Sequence, residues 1–590
     1  MSLNHDLSNL FQKMAAVMDL KGESAFKSIA FSRVSRVLND LPVDVRTLHE
    51  QGKLAELQGV GESSRRVIEE YVRTGRSTDF DELTASVPAG LLPMLNIPGL
   101  GPKTVALLWK ERGVTSTAEL TEAIAAGKLD GLKGVGAKKI ESIKQGIALL
   151  ERSAGRIGIA EALPIAQALV ERVRALPQVE RAEVAGSLRR RAETIGDVDL
   201  VCCANGDGTA VLEAFSRFPE VDRVLVHGAT KVSVLTAAGL QVDLRLVPVE
   251  NYGAALLYFT GSKDHGKRIR GLALDRGMTL NEWGIYKLAD HATADKETGH
   301  APKLKPLASR TEADVYAQLK MAYVEPELRE DRGEVEAALR NELPQLIELS
   351  DIKGDLHTHT TASDGTNTID EMAEAAIGRG YAFLGITDHS KAQTIANGLT
   401  AERLLKHAKA IRQAAERYKG DIRLLAGCEV DILADGTLDF PDEVLAELDF
   451  VVASPHLALK QDEQKATDRI KRAIENRYVT IIGHPTGRLI GQRDGLPLRF
   501  DQLFPLAAAN GTAMEINAGY PRLDLNEAHA RAAVAAGVRL SINTDAHSTA
   551  GLGGLQYGLN VARRAWVTKV NVINCLTVAK LEAFIAAKRR

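Results

Sequence analysis

Ala185-Gly186-Ser187-Leu188-Arg189-Arg190, followed shortly by Gly196-Asp197-Val198-Asp199-Leu200-Val201, decides how the first half of this chain is read. The second run alternates like a strand, so Asp197 and Asp199 project from one face while Val198 and Leu200 point into a core. Further on, Leu240, Val242, Leu244 and Leu246 form the buried face of another alternating run, with Gln241, Asp243 and Arg245 opposite. If these strands are neighbours, three carboxylates converge. Alone they would repel one another, and divalent cations resolve that repulsion. Two such ions suit an in-line displacement at phosphorus with a pyrophosphate leaving group. Gly186 and Ser187 offer a tight turn and amide donors to a triphosphate, and Arg190 a fork for its oxygens. A lone Asp-x-Asp is commonly a solvated strand end; its coupling to Gly-Ser-x-Arg-Arg and a third strand aspartate argues for a site.

Toward the N-terminus, the first 155 residues read as helical, and Gly59-Val60-Gly61, Gly99-Leu100-Gly101 and Gly134-Val135-Gly136 punctuate them. A Gly-x-Gly turn between short helices lets the backbone pass close to a partner, because glycine has no Cβ. The helix that follows presents its first amides, which suit a phosphate oxygen. Lys103 and Lys138 lie just past their turns. One copy reads equally well as a helix C-cap; three with the same flanks need a common reason.

Toward the C-terminus, eight of the 14 histidines follow Lys353. Short apolar strands alternate there with amphipathic helices, the texture of a parallel α/β barrel. His357 and His359, Asp364, His389, Glu429, His456, His484, Asp545 and His547 sit at strand ends or in the adjoining turns. In a parallel barrel those ends share one face. A single such histidine is more often a hydrogen-bonded core residue, but nine converging donors argue for a metal centre. Mixed imidazole and carboxylate donors suit zinc, manganese or iron. Glu515 and Asn517 reach the same face and either orient substrate or support the ligands.

Composition sets the outer limits. At 590 residues the chain needs several folding units. Hydrophobic residues make up 45% and charged residues 26%, the balance of globular domains. A net charge of -3 excludes a polybasic coat but not local phosphate-binding devices. No apolar run could span a bilayer, no signal peptide is evident, and four cysteines without a CxxC pair argue against a disulfide framework. A multidomain, cytoplasmic, monomeric protein without a membrane partner is expected.

At this point the motifs of residues 1–325 resemble those of family X DNA polymerases, small gap-filling repair enzymes. Tyr258-Phe259-Thr260-Gly261-Ser262, with Lys263, Lys267, Arg268 and Arg270 beyond it, strengthens the likeness. The C-terminal pattern resembles the PHP (polymerase and histidinol phosphatase) family, a distorted seven-stranded β/α barrel with a trinuclear centre. In this order the two form the architecture of bacterial and archaeal PolX enzymes. The resemblance implies a helix-hairpin-helix domain over 1–80, fingers over 81–155, a nucleotidyltransferase palm over 156–250, a thumb over 251–325 and the PHP barrel over 353–590, and the charged stretch around Glu325 to Arg340 reads as a linker over 326–352.

It also implies roles. Asp197, Asp199 and Asp243 would be catalytic carboxylates binding Mg2+ or Mn2+, with Gly186, Ser187, Arg190, Tyr258, Phe259 and Gly261 around the incoming nucleotide. Gly59, Gly61, Gly99, Gly101, Lys103, Gly134, Gly136, Lys138 and Lys231 would touch DNA. In the barrel His357, His359, Glu429 and Asp545 would hold one ion, and Glu429 would be shared with a second held by His456 and His484. Asp364, His389 and His547 would hold a third, the ions being Mn2+ and/or Zn2+. The activities implied are dNTP addition at gapped or nicked DNA and a 3′–5′ exonuclease, with cleavage of abasic sites or 3′-phosphates left open. Alternatives are a DNA 3′-end phosphoesterase with weak polymerisation, or a non-enzymatic DNA-backbone scaffold.

Two departures stand out. Gly266 occupies the place where the family commonly has an asparagine against the incoming base, which affects base and sugar discrimination. Val67 stands where lyase-competent members carry a Schiff-base lysine, so deoxyribose-phosphate lyase activity by that route is not expected.

Overall fold

The structure is a computed structural model that describes residues 3–22, 25–40, 45–57, 59–95, 97, 100–132, 134–153, 155–206, 208–292 and 304–590. Two units emerge: Met1–Ala154 with Leu489–Asp494, and Gly155–Arg488 with Gly495–Arg590. Among the described residues no helix is long and apolar enough to cross a membrane.

The first unit is helical, and α1 (Glu62–Thr74), α2 (Pro102–Arg112) and α3 (Ala137–Ser153) each begin directly after a glycine turn. Gly59 and Gly134 turn the chain in the left-handed region, at φ 88° and 92°, a conformation that costs other residues a Cβ clash. Gly99 lies outside the described residues. Pro102 opens α2 where its missing amide would have had no intrahelical partner. Leu7, Phe11, Leu38, Val67 and Ile68 form one apolar cluster, and Leu91, Leu108, Leu120 and Ile143 belong to another. Val67 is therefore a core anchor, contributing on the order of 1.5–3 kcal/mol by burial.

In the second unit a five-stranded sheet comes first: β1 (Val179–Val184), β2 (Asp197–Ala204), β3 (Val221–His227), β4 (Lys231–Thr236) and β5 (Gln241–Val247), in the spatial order β1-β2-β5-β4-β3. β2 and β5 run parallel, and the other pairs are antiparallel. The short α4 (Gly186–Arg189) follows β1, and α5 (Tyr252–Thr260) packs on β2, burying Tyr252, Ala255 and Leu256 against Ala185, Val201 and Cys203.

Beyond it, α6 (Lys263–Asp275), α7 (Glu312–Gln318) and α8 (Glu334–Arg340) share a core that includes Leu257, Ile269, Tyr316, Leu328, Val335 and Leu346. The segment 326–352, read from its charge as a linker, thus differs from that expectation. Its charges are internal partners. Arg329 is fully buried against Glu312 at 2.6 Å, and the fully buried Glu334 carboxylate accepts from His265 Nδ1 at 2.7 Å. A buried ionised group persists only when paired in this way.

The rest of the unit is a parallel barrel of β6 (Gly354–Asp355), β7 (Phe383–Ile386), β8 (Arg423–Ala426), β9 (Glu429–Asp431), β10 (Val451–Ser454), β11 (Val479–Ile482), β12 (Ala513–Asn517) and β13 (Leu540–Asn543). β8 and β9 are one stave interrupted at Gly427-Cys428: β8 pairs with β7 and β9 with β10. That leaves seven staves, and a parallel bridge between Thr358 and Ala546 joins the first to the last. The strands are buried along their length, as expected for a parallel sheet covered by helices. Among those helices are α9 (Ala401–Arg417), α10 (Glu527–Ala535) and α11 (Leu555–Arg564).

Candidate active sites

β2 and β5 lie side by side with Asp199 directly opposite Asp243. The condition set by the sequence is met, and both carboxylates share a face with the exposed Asp197. Asp199 is pushed up to about 6, first by burial and then by the charges of Asp197 and Asp243; Arg245 and Lys231 offset this only in part. Asp243 moves the other way: burial alone would raise it, but hydrogen bonds from Lys231, Gln241 and Ser233 bring it below its ordinary value. Lys231, expected against DNA, has its ammonium on the Asp243 carboxylate. A carboxylate cluster so short of positive charge fits divalent cations.

Gly186 suits a turn in which a side chain would be strained. It sits at φ 62°, and an added Cβ would lie 2.8 Å from Asp199 Oδ2. Gly186→Ala is expected to cost about 1–2 kcal/mol through its backbone and to displace Asp199, so a denaturant melt and a nucleotide-incorporation assay both register it.

Arg189 does not face the cluster. It donates two bonds to Glu312, at 2.8 and 2.7 Å, and one to Thr260. Arg190 donates from Nε to Glu330 at 3.0 Å and from Nη1 to the Thr260 carbonyl at 2.6 Å. Tyr258 is exposed at the end of α5, edge-on to Phe259, and the Arg245 guanidinium lies over the Phe259 ring at 4.1 Å. Gly261, at φ 64°, approaches Arg190, since an added Cβ would lie 3.4 Å from its Nη1. The expected nucleotide residues are therefore neighbours.

At the barrel's strand ends all nine expected ligands converge. Four groupings place donor atoms within 4.8 Å of one another: His359, Asp364, His389 and His547; His357, His359 and Glu429; His357, His484 and Asp545; His389, Glu429 and His456. His359 thus faces the Asp364 group as well as Glu429, a broader sharing than the three sets carried over by resemblance. Glu429 is the hub, with His389 at 2.7 Å, His484 at 2.9 Å, and His357 and His456 at 3.3 Å. Burial alone would raise it, but His456, His357 and His389 hold it well below the usual carboxylate range. His359 is pushed down to about 4 by burial and then by His547 and His389. His484 is likewise pushed down to about 4, by burial and then by Arg522. Both are neutral at pH 7, the ligating form.

The buried His357 Nε2, His359 Nδ1, His456 Nε2, His484 Nδ1 and Glu429 Oε2 have no hydrogen-bond partner. Buried polar atoms are rarely left so, and these are the atoms that metal ions would satisfy. The residues fit the ions.

The open choice at Glu515 and Asn517 is resolved by burial, for neither is exposed. Glu515 contacts His357 Nδ1 at 2.8 Å and accepts from Asn543 and from the His484 amide. Asn517 donates to Glu515 and Asp545. They aim ligands. Glu515→Gln is expected to lower metal affinity about 10–100-fold, measurable by chelator competition. Two residues escaped the sequence reading. Asp431, two positions after Glu429 and so on its face of the stave, lies 3.3 Å from His456 Nδ1. Arg522 reaches to 3.6 Å from Asp545, and no local motif announces it.

In the helical unit Gly61 and Gly101 cap α1 and α2 with ordinary negative φ, and Gly61, Gly101 and Gly136 have open space where a Cβ would point. Among the described residues nothing demands glycine there. Lys103 and Lys138 are exposed beside two of these turns.

Fold and sites together define a nucleotidyltransferase joined to a barrel metallophosphoesterase. Models of a helix-hairpin-helix domain, the DNA polymerase beta thumb and the PHP domain match residues 2–77, 255–330 and 355–518. A DNA polymerase/3′-5′ exonuclease PolX of Bacillus subtilis is 40% identical over 582 residues, 98% of this chain and 99% of that protein. A "probable phosphatase" of Thermoanaerobacter sp. is 30% identical over 247 residues, 40% of this chain and 95% of its own. The chain belongs to the PolX family, the family X DNA polymerases that carry a PHP domain.

Proposed function

We propose that this chain fills short DNA gaps by adding deoxynucleotides to a primer 3′-hydroxyl at the five-stranded palm, and trims 3′ ends at the barrel. It is a family X DNA polymerase with a PHP exonuclease, it binds DNA, and both activities are metal-dependent. The observation that carries the reading is that the same chain holds Asp197, Asp199 and Asp243 on one face of neighbouring strands and nine barrel residues whose donor atoms gather in overlapping groups.

Asp197, Asp199 and Asp243 would hold Mg2+ or Mn2+, and the nine barrel residues up to three Mn2+ or Zn2+. When bound, these ions supply Lewis-acid activation and neutralise charge developing at phosphorus. The protein's own groups do the rest. The Gly186-Ser187 turn offers amides to the triphosphate, Arg190 offers its remaining donors, and Tyr258 and Phe259 form a wall beside the sugar. In the barrel Glu515 orients His357, and Arg522 is the guanidinium placed to grip a phosphate oxygen. The glycine turns hold DNA phosphates without reading bases. The domain boundaries given above, with the stretch after 325 joined to the thumb core instead of forming a linker, a monomeric state and a cytoplasmic location complete the proposal.

A labelled primer on gapped duplex, with and without dNTPs, in Mg2+ and in Mn2+, tests the reading. Lengthening with dNTPs and shortening without them are expected; shortening alone would leave only the phosphoesterase. The turns have their own check. Gly136→Val is expected to leave the melting temperature unchanged and to weaken gapped-DNA binding, and wild-type binding to fall steeply with salt.

A further inference from the structure

Arg190 is not held by its own domain alone. Its Nε bonds Glu330 at 3.0 Å, and the same Glu330 oxygen accepts from Arg564 Nη1 at 2.9 Å. Arg564 lies on α11, a helix that covers the barrel. The same Nη1 also donates to the Arg190 carbonyl at 2.6 Å, so one guanidinium grips both the main chain of the nucleotide turn and the acid that steers its arginine. Arg564 is buried, and its far side pairs with Glu527 of α10, which also takes Arg332 at 2.7 Å. A second tie runs parallel: Arg488, in the loop after β11, bonds Glu193 at 2.7 and 3.2 Å, three residues past Arg190.

We propose that Arg564, a residue of the PHP barrel, is a positioning residue for nucleotide binding at the polymerase centre. It rests on the reading of Arg190 as a triphosphate contact. Two guanidiniums share one carboxylate here. With Arg564 present, the Glu330 charge is divided, so Arg190 is located without being neutralised. Without Arg564, Glu330 belongs to Arg190 alone, and the cation offered to a tetra-anionic triphosphate is quenched at short range in a half-buried, weakly screened site. The Arg190 carbonyl also loses its donor and the turn loses a fixed point.

Steady-state incorporation of a single dNTP on gapped DNA by the full-length protein tests this, with exonuclease rate measured on the same preparations. Arg564→Met is expected to raise the dNTP KM about tenfold with kcat within about twofold, the signature of lost ground-state binding, and to leave the exonuclease rate unchanged. Adding Glu330→Gln to that variant keeps an acceptor for Arg190 but removes the unshared charge, and most of the KM is expected to return. A merely structural contact would instead make the double variant worse. If Arg564→Met does not fold, Glu330→Gln alone decides, because the proposal requires its KM to stay level or fall; a rise overturns it. An unchanged KM in Arg564→Met overturns the proposal while leaving the Arg190 reading intact if Arg190→Ala raises KM. If Arg190→Ala also has no effect, the reading of the turn itself has failed.

Discussion

Asp199→Ala is expected to reduce nucleotide addition by on the order of a thousandfold or more, the scale of removing one preorganised charge from a displacement at phosphorus. The exonuclease is expected to stay within about twofold of wild type, since the barrel's donors come from other strands. Asp199 is the apt target because it faces Asp197 along its own strand and Asp243 across the ladder. It is also the carboxylate raised to about 6 by those neighbours and by burial. Its removal relieves a repulsion, so in chelator the variant is expected to melt no lower than wild type. Loss of activity without loss of stability would locate the defect in chemistry. A variant that kept its polymerase activity would remove Asp199 from the mechanism.

Glu429→Ala is expected to do the converse, lowering exonuclease activity by on the order of a thousandfold with polymerisation nearly unchanged. Four imidazoles lie within 3.3 Å of this carboxylate, more than face any other candidate ligand among the described residues. Elemental analysis is expected to show fewer bound ions per chain, and the melting temperature in chelator to fall, because a buried anion that several rings face is gone. If either substitution silenced both activities, two separate centres would be the wrong description.

The two centres were legible for different reasons. Asp197 and Asp199 sit two apart on a strand, and a period of two is readable from any sequence; only the parallel register that sets Asp199 against Asp243 had to come from the fold. The histidines were legible because parallel strands deliver their ends to one face. Charge misled at 326–352, where Arg329 and Glu334 look like a solvated linker and are instead buried pairs. Sequence carries no sign of a partner such as Glu312 or His265 far along the chain. Arg564 was invisible for the same cause: 374 positions separate it from the carbonyl it holds. Glu515 was seen, but whether it faced substrate or ligand depended on burial that only packing decides.

The open space above Gly61, Gly101 and Gly136 has a consequence for how such an enzyme finds its target. A grip made of bare backbone on phosphates is the same at every base pair, so shifting by one step along duplex meets no barrier set by sequence. On the proposed reading of these turns, the helical unit would act as a runner on a rail, and search for a gap would become travel in one dimension rather than repeated capture from solution.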